Sequence, residues 1–446
     1  MKLSFRLTLA FLVFTFATGA SAAPAPSVSD SFANSFAISG ARVFDGSEVI
    51  PAATVVVIDG RIQSVGPNVI PPPGIPVIDG TGSTLMPGMI DGHAHARSRQ
   101  ELERALLFGV TTEMDMWTLP QFAQSMRREQ ERNGASYRAD FFSAIHPATM
   151  PEAYPYNFTP DFTEKPTLTH PEEAEKFVRK LMADGADYLK IMIEDGSLTG
   201  DLVPVLSRET VRALTREMHQ RGRIAVAHVT RRQYAANLLH DGVDGLVHIF
   251  VDEPVDPAFI QLAVRKGIFV TATLATEEAF ITTQGGEALL ADPDLAPYIT
   301  ELEAQYLLMP PYPSILTLEN LAIAKENVRQ LHAAGVPILA GTDTATHGLT
   351  IHRDLELLVD AGLAPVDALE AATAAPAEAF GLADRGRIAP GLRADLLLVQ
   401  GDPTVNIKAT RAIQRVWKGG VELDRIPAAA SALEPAGIPQ RHSHGH

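Results

Sequence analysis

The amino-acid sequence predicts an α/β fold: a (β/α)8 barrel carrying a small β-sandwich domain built from both ends of the chain. Three observations predict it. A unit of amphipathic helix, glycine and apolar strand recurs through the middle of the chain. Eight apolar strand candidates can be counted there. Short β-branched runs, broken by Gly and Pro, flank the repeats on both sides. Near-continuous apolar strands alternating with helices make a parallel sheet covered by helices. Eight such units close into a barrel whose functional groups gather at the carboxyl ends of the strands. A doubly wound open sheet is the alternative, because periodicity alone does not close a barrel.

Taken in order, Lys2 and Arg6 precede an apolar run over 7–17 and then Ala20-Ser21-Ala22. That is the pattern of a secretory signal over 1–22, cleaved after Ala22. Residues 23–36 read as a flexible leader. Segments 37–84 and 386–424 form the small β-domain, with strands at 37–44, 54–60, 61–65, 393–399 and 413–419. Asp59-Gly60 is the hairpin turn. Residues 85–385 make the barrel, with strands at 85–95, 109–117, 140–145, 188–193, 224–229, 245–250, 269–275 and 337–344.

The punctuation agrees with that reading. Gly185, Gly222, Gly242, Gly267 and Gly335 each follow a helical stretch, where a left-handed residue is expected. Ser207, Asp256 and Thr317 stand where N-caps belong. Pro-rich segments 146–170 and 276–313 fall on the catalytic side and suit a lid. The Ala/Pro-rich, His-containing tail from 425 to 446 is expected to be disordered.

Composition narrows the function. The chain has 53 acidic and 37 basic residues, a net charge of −16. Losing Lys2 and Arg6 with the signal makes it two units more negative. Such acidity opposes binding to nucleic acid or anionic membranes. A small-molecule substrate is therefore expected, with no nucleic acid and no membrane once the signal is gone. Composition leaves an oligomer open. There is no cysteine, so disulfides are excluded and any metal must be held by N and O donors. The expected location is exported, periplasmic or secreted.

The most informative stretch is Leu85-Met-Pro-Gly-Met-Ile-Asp-Gly-His-Ala-His-Ala96. Residues i and i+2 of a strand share a face, so His93 and His95 present two imidazoles together. That is half a metal site. Alone the pair is weak evidence, since 14 histidines in 446 residues give about 0.4 such pairs by chance. Its context is stronger. Lys190, His228, His248 and Asp343 each fall at a later expected strand end. Lys190 alternates with Leu189 and Ile191, so it faces the other way, into the barrel. Burial disfavours the ammonium form. A neutral amine can take up CO₂ as a carbamate, an anionic ligand with two oxygens. His146 and His347 follow the third and eighth strands and are candidate substrate contacts.

On these motifs, with 386–396 (Gly-Arg-Ile-Ala-Pro-Gly-Leu-Arg-Ala-Asp-Leu), the chain resembles the metal-dependent amidohydrolase superfamily in its imidazolonepropionase-like branch. The resemblance implies two divalent ions, with Zn²⁺ expected. His93, His95 and Asp343 would hold one, His228 and His248 the other, and N6-carboxylated Lys190 would bridge them. It implies hydrolysis of a C–N bond (amide, dipeptide-like or N-acyl) by a metal-bridging hydroxide, with Asp343 moving the proton. Lactone, carbamate or phosphotriester hydrolysis on the same centre is the alternative. A non-catalytic scaffold would have lost ligands, and the full set is present.

Overall fold

The computed structural model describes residues 34–133, 136–156, 165–198, 200, 202–311 and 314–428. The expected signal, most of the leader and the tail beyond 428 lie outside the described residues. Sixteen strands are present among them. In chain order these are β1 (Phe36–Phe44), β2 (Val49–Ile58), β3 (Arg61–Gly66), β4 (Val77–Asp79), β5 (Ser83–Pro87), β6 (Met89–Ala94), β7 (Val110–Asp115) and β8 (Asp140–Ser143). Then come β9 (Leu189–Ile193), β10 (Ala225–Val229), β11 (Gly245–Val247), β12 (Phe269–Thr271), β13 (Ile338–Leu339), β14 (Leu396–Gln400), β15 (Ile413–Lys418) and β16 (Val421–Glu422).

The chain-end strands form one mixed sheet in the order β16-β15-β14-β5-β1-β2-β3, with β4 also paired to β1. The strands expected from the two ends of the chain thus join in one hydrogen-bonded sheet. The reason lies in β1, whose register shifts at Ile38/Ala41 and Ala41/Val43 bend it. Its first half then pairs with β4 and its second half with β5, joining both halves of the sheet. Trp417 stacks on Phe36 at 5.2 Å inside this sheet's own core.

The middle strands form two parallel sheets, β6-β7-β8 and β9-β10-β11-β12-β13, with helices between successive strands. Their edges meet. Ala148 donates to Lys190 O at 2.8 Å and accepts from Met192 N at 3.0 Å. On the other side Gly92 donates to Ala340 O at 2.9 Å, and Asp343 donates to His93 O at 2.8 Å. Ile90, Met114, Val226, Val247, Phe269 and Leu339, from six of these strands, pack together in one buried cluster. Leu189, Ile191 and Ile193 instead join the larger core under the helices. Lys190 therefore faces the inner side.

The strands expected over 245–250 and 337–344 are shorter, Gly245–Val247 and Ile338–Leu339, and two further expectations change. The single strand expected over 85–95 is two, β5 and β6, which belong to different sheets. The break is at Gly88, where an added Cβ would stand 2.2 Å from Thr111 Cγ2. Only glycine lets the chain cross there. The strand expected over 269–275 stops at Thr271, and Leu274–Ala279 is helical. The five expected glycines all take positive φ, and Ser207 and Asp256 cap their helices by accepting from Thr210 N and Phe259 N. No helix among the described residues is long and apolar enough to cross a membrane.

Candidate metal centre

The motif Asp91-Gly92-His93 meets Gly341-Thr342-Asp343 across the seam between β6 and β13. Two glycines permit the approach. A Cβ on Gly92 would lie 2.8 Å from Ala340 O, and one on Gly341 would lie 2.9 Å from His93 Cβ and N. The Asp91 carboxyl ties the segments together. Its Oδ1 accepts from His93 N and Thr342 N, both at 3.0 Å, and its Oδ2 accepts from Thr342 Oγ1 at 2.7 Å. Burial, then the neighbouring Glu113, pushes the Asp91 carboxyl up to about 8. Asp91 thus fixes the two backbones that carry His93 and Asp343.

Around that seam the donors converge. His93 Nε2 lies 3.3 Å from His95 Nε2, 3.4 Å from Lys190 Nζ and 3.6 Å from Asp343 Oδ1. Asp343 Oδ1 is 2.9 Å from His95 Nε2, and its Oδ2 is 3.5 Å from His248 Nε2. The His248 ring packs 4.7 Å from His93 and 4.6 Å from His228. Two ligands bound tetrahedrally at Zn–N distances stand about 3.3 Å apart. The His93–His95 spacing has that value, and His93, His95 and Asp343 offer three ligand atoms within 4.8 Å of one another. With no sulfur available, this imidazole and carboxylate set fits a borderline divalent ion.

Ring orientation is set from behind. The Thr273 hydroxyl donates to Ala272 O at 2.9 Å and accepts from His248 Nδ1 at 2.7 Å. That leaves the His248 Nε2 lone pair facing Asp343. His95 Nδ1 donates to Trp117 O at 3.4 Å, which frees its Nε2 in the same way. Glu194, one residue past β9, places Oε2 3.5 Å from His228 Nε2 and accepts from Thr230 Oγ1 at 2.5 Å. Backbone strain concentrates here too. His248 (φ 100), Thr273 (φ 49), Asp343 (φ 48) and Ile145 (φ 59) all adopt left-handed conformations. Non-glycine residues persist there only when their surroundings hold them.

The electrostatics favour the ligand forms. Burial lowers His93 and His248 well below the usual imidazole range, and His228 less so, keeping them neutral. Burial would raise Asp343, but His93 and His95 beside it hold the carboxyl well below the ordinary range. Burial brings the Lys190 amine down to about 8. No acid is salt-bridged to Lys190 among the described residues; Glu194 is engaged with His228 and Thr230 instead. Glu277, which the sequence did not single out, is buried behind the site. Burial, then Asp343 and Glu194, pushes it up to about 8.

The cluster forms the floor of a cavity of about 600 Å³. His347 lines it. Its Nδ1 donates to both oxygens of buried Glu113 at 3.0 and 3.1 Å. Burial opposes its charge, but Glu113 prevails and pushes it up to about 9. His146 is buried, and Pro147 rather than His146 is among the residues lining the cavity. A left-handed residue, Ile145 (φ 59), stands between β8 and that wall. Both long segments contribute walls: Tyr154 and Pro155 from the first, Leu302, Tyr306 and Met309 from the second.

The parallel α/β fold gathers imidazoles and a carboxylate at its strand ends, an arrangement that could hold a metal ion. Residues 84–423 match the amidohydrolase family, and the chain belongs to it. Ochratoxinase from Aspergillus niger is 30% identical over 260 residues, 56% of this chain and 48% of that protein. The chain thus spans about half the length of the curated relatives it matches. Among solved structures, one described as a prolidase from Bifidobacterium longum superposes with a TM-score of 0.69 at 27% identity, covering 87% of this chain and 94% of that one. A Xaa-Pro dipeptidase with bound methionine superposes with a TM-score of 0.70 at 20% identity, covering 87% and 100%. That second likeness concerns the fold.

Proposed function

We propose that the chain is an exported metal-dependent hydrolase that cleaves a C–N bond in an amide or dipeptide-like small molecule. The observation that carries the reading is the buried Lys190 amine 3.4 Å from His93 Nε2, beside three further donors. The names of the relatives, ochratoxinase and prolidase, support the substrate class. The hydrogen bonds of Ala148, Gly92 and Asp343 support closure of β6–β13 into an eight-stranded barrel. Export rests on the signal-like segment 1–22.

In this reading His93, His95 and Asp343 would hold one divalent ion, and His228 and His248 would hold a second. Neutral Lys190 would add its nitrogen to CO₂ and release a proton, and the resulting N6-carboxylysine would offer carbamate oxygens to both ions. Zn²⁺ suits the donors. When bound, such ions polarise a carbonyl and acidify water. The chain supplies the rest. Asp343, kept as a carboxylate, accepts a proton from the attacking water and passes it to the leaving nitrogen. Trp117, Tyr154 and Tyr306 close the cavity around the scissile bond.

A substrate panel tests this: N-acyl amino acids and dipeptides beside a lactone, a carbamate and a phosphotriester. Turnover confined to the last three would move the assignment to those electrophiles. Asp343→Asn is expected to retain metal and lose at least about 100-fold in kcat. Near-normal turnover would remove Asp343 from proton transfer.

A further inference from the structure

We infer that Arg104 and Glu303 are positioning residues for the substrate cavity, their buried ion pair holding the wall that faces the metal-ligand cluster. That wall is the helix Glu301–Leu307, which brings Leu302, Gln305 and Tyr306 to the cavity. It belongs to the long excursion between β12 and the helix Leu318–Ala333. A helix normally docks through an apolar face. On this one the only buried residue is Glu303. Its carboxylate accepts from Arg104 Nε at 2.8 Å and Nη2 at 2.6 Å, with the two side chains only 13% and 9% exposed. Arg104 also donates to Tyr298 O, so it grips the excursion twice.

The other end of the pair is equally telling. Arg104 lies on the helix Arg99–Leu107, the first helix after the strand that carries His93 and is followed directly by His95. The ion pair therefore ties the wall to the helix that follows the histidine-bearing strand. Apolar packing also holds the excursion: Leu289 and Leu295 join Phe108 and Leu349, and Leu307, the last residue of this helix, packs against them. A planar guanidinium fork on a carboxylate fixes orientation as well as distance. Losing it leaves the metal ligands untouched and lets the wall swing. The substrate half remote from the scissile bond then loses its contact surface.

Glu303 also caps its own helix, accepting from Thr300 N at 2.8 Å. Glu303→Gln keeps a capping acceptor and removes the charge, so it isolates the ion pair. The test compares Arg104→Gln, Glu303→Gln, the double variant and Arg104→Lys in the full metal-loaded chain. For amides bulky on the far side, each single variant is expected to raise KM about tenfold with little change in kcat. Amides lacking that bulk should be unaffected, the double variant should be no worse than either single one, and Arg104→Lys should recover part of the loss. Hydrogen exchange over 298–309 should quicken in the single variants while metal content stays constant. Unchanged exchange, additive singles, or equal kcat losses on small and bulky amides would overturn the inference. It rests on the amide-hydrolase reading only for its kinetic arm. If the wild type hydrolyses no amide, that reading fails and the exchange measurement still decides the latch.

Discussion

Glu194 shows what single residues contribute beyond the ligand set. It touches His228 Nε2 and Thr230 Oγ1, and the His228 ring and the Glu194 charge fix one another. Burial would raise the Glu194 carboxyl, but His228 and Thr230 hold it below its ordinary range. Carboxylates that orient a ligating histidine contribute about 10–100-fold in metal affinity. Glu194→Ala is expected to weaken the second metal by about that factor while the first stays bound; a competitive chelator titration reads the two losses separately. Wild-type affinity at the second site in the variant would detach Glu194 from His228. The sequence marks the ligand candidates well, because strand ends and residue types suffice. It does not mark Asp91, Thr273 or Glu194. Their roles depend on contacts between segments far apart in the chain, such as Asp91 with Thr342, and no local pattern encodes those.

At the level of elements, local signals work and junctions do not. Caps and left-handed glycines stand where the spacing places them, since each is settled within a few residues. The split at Gly88 was hidden, because 85–90 is an unbroken apolar run and the Thr111 side chain opposite marks the crossing only in the fold. The helix Ile351–Asp360 raises a similar point. His352 is fully buried, its Nδ1 3.1 Å from Thr410 Oγ1 and its Nε2 3.1 Å from Phe108 O. Burial, then Arg411, brings it down to about 3, against 6.5 for a free imidazole. Between those values the unfolded chain binds the extra proton, so stability falls as pH drops below about 6.5. From pH 7 to 5 this group alone should cost about 2 kcal/mol. His352→Gln should flatten the pH dependence of urea unfolding by that amount. Parallel profiles for variant and wild type would place the acid sensitivity elsewhere.

Across the whole molecule, the chain-end sheet is bolted to the parallel sheets by buried charge. Lys418 Nζ lies 2.7 Å from both Asp140 Oδ2 and Asp395 Oδ2, while Arg385 and Arg393 reach the same Asp140 oxygen at 2.6 and 2.8 Å. Both Lys418 and Asp140 are fully buried. Removing one partner of such a group is costly, because the remaining charge stays desolvated. Lys418→Met should lower unfolding free energy by about 3 kcal/mol and leave metal content unchanged; a loss under about 0.5 kcal/mol would mean the sheets are held by packing alone. Pattern reasoning announced the chain-end sheet and the parallel strands. It could not show how they join, because Asp140, Arg385, Arg393, Asp395 and Lys418 look like surface charges until the fold brings them together. The central claim concerns the opposite ends of these strands, and metal stoichiometry tests it most directly. The purified wild type should carry two divalent ions per chain. Lys190→Ala should carry fewer, with partial recovery of metal and activity in added short-chain carboxylate. Wild-type protein without bound metal, or unchanged stoichiometry in Lys190→Ala, would contradict the account.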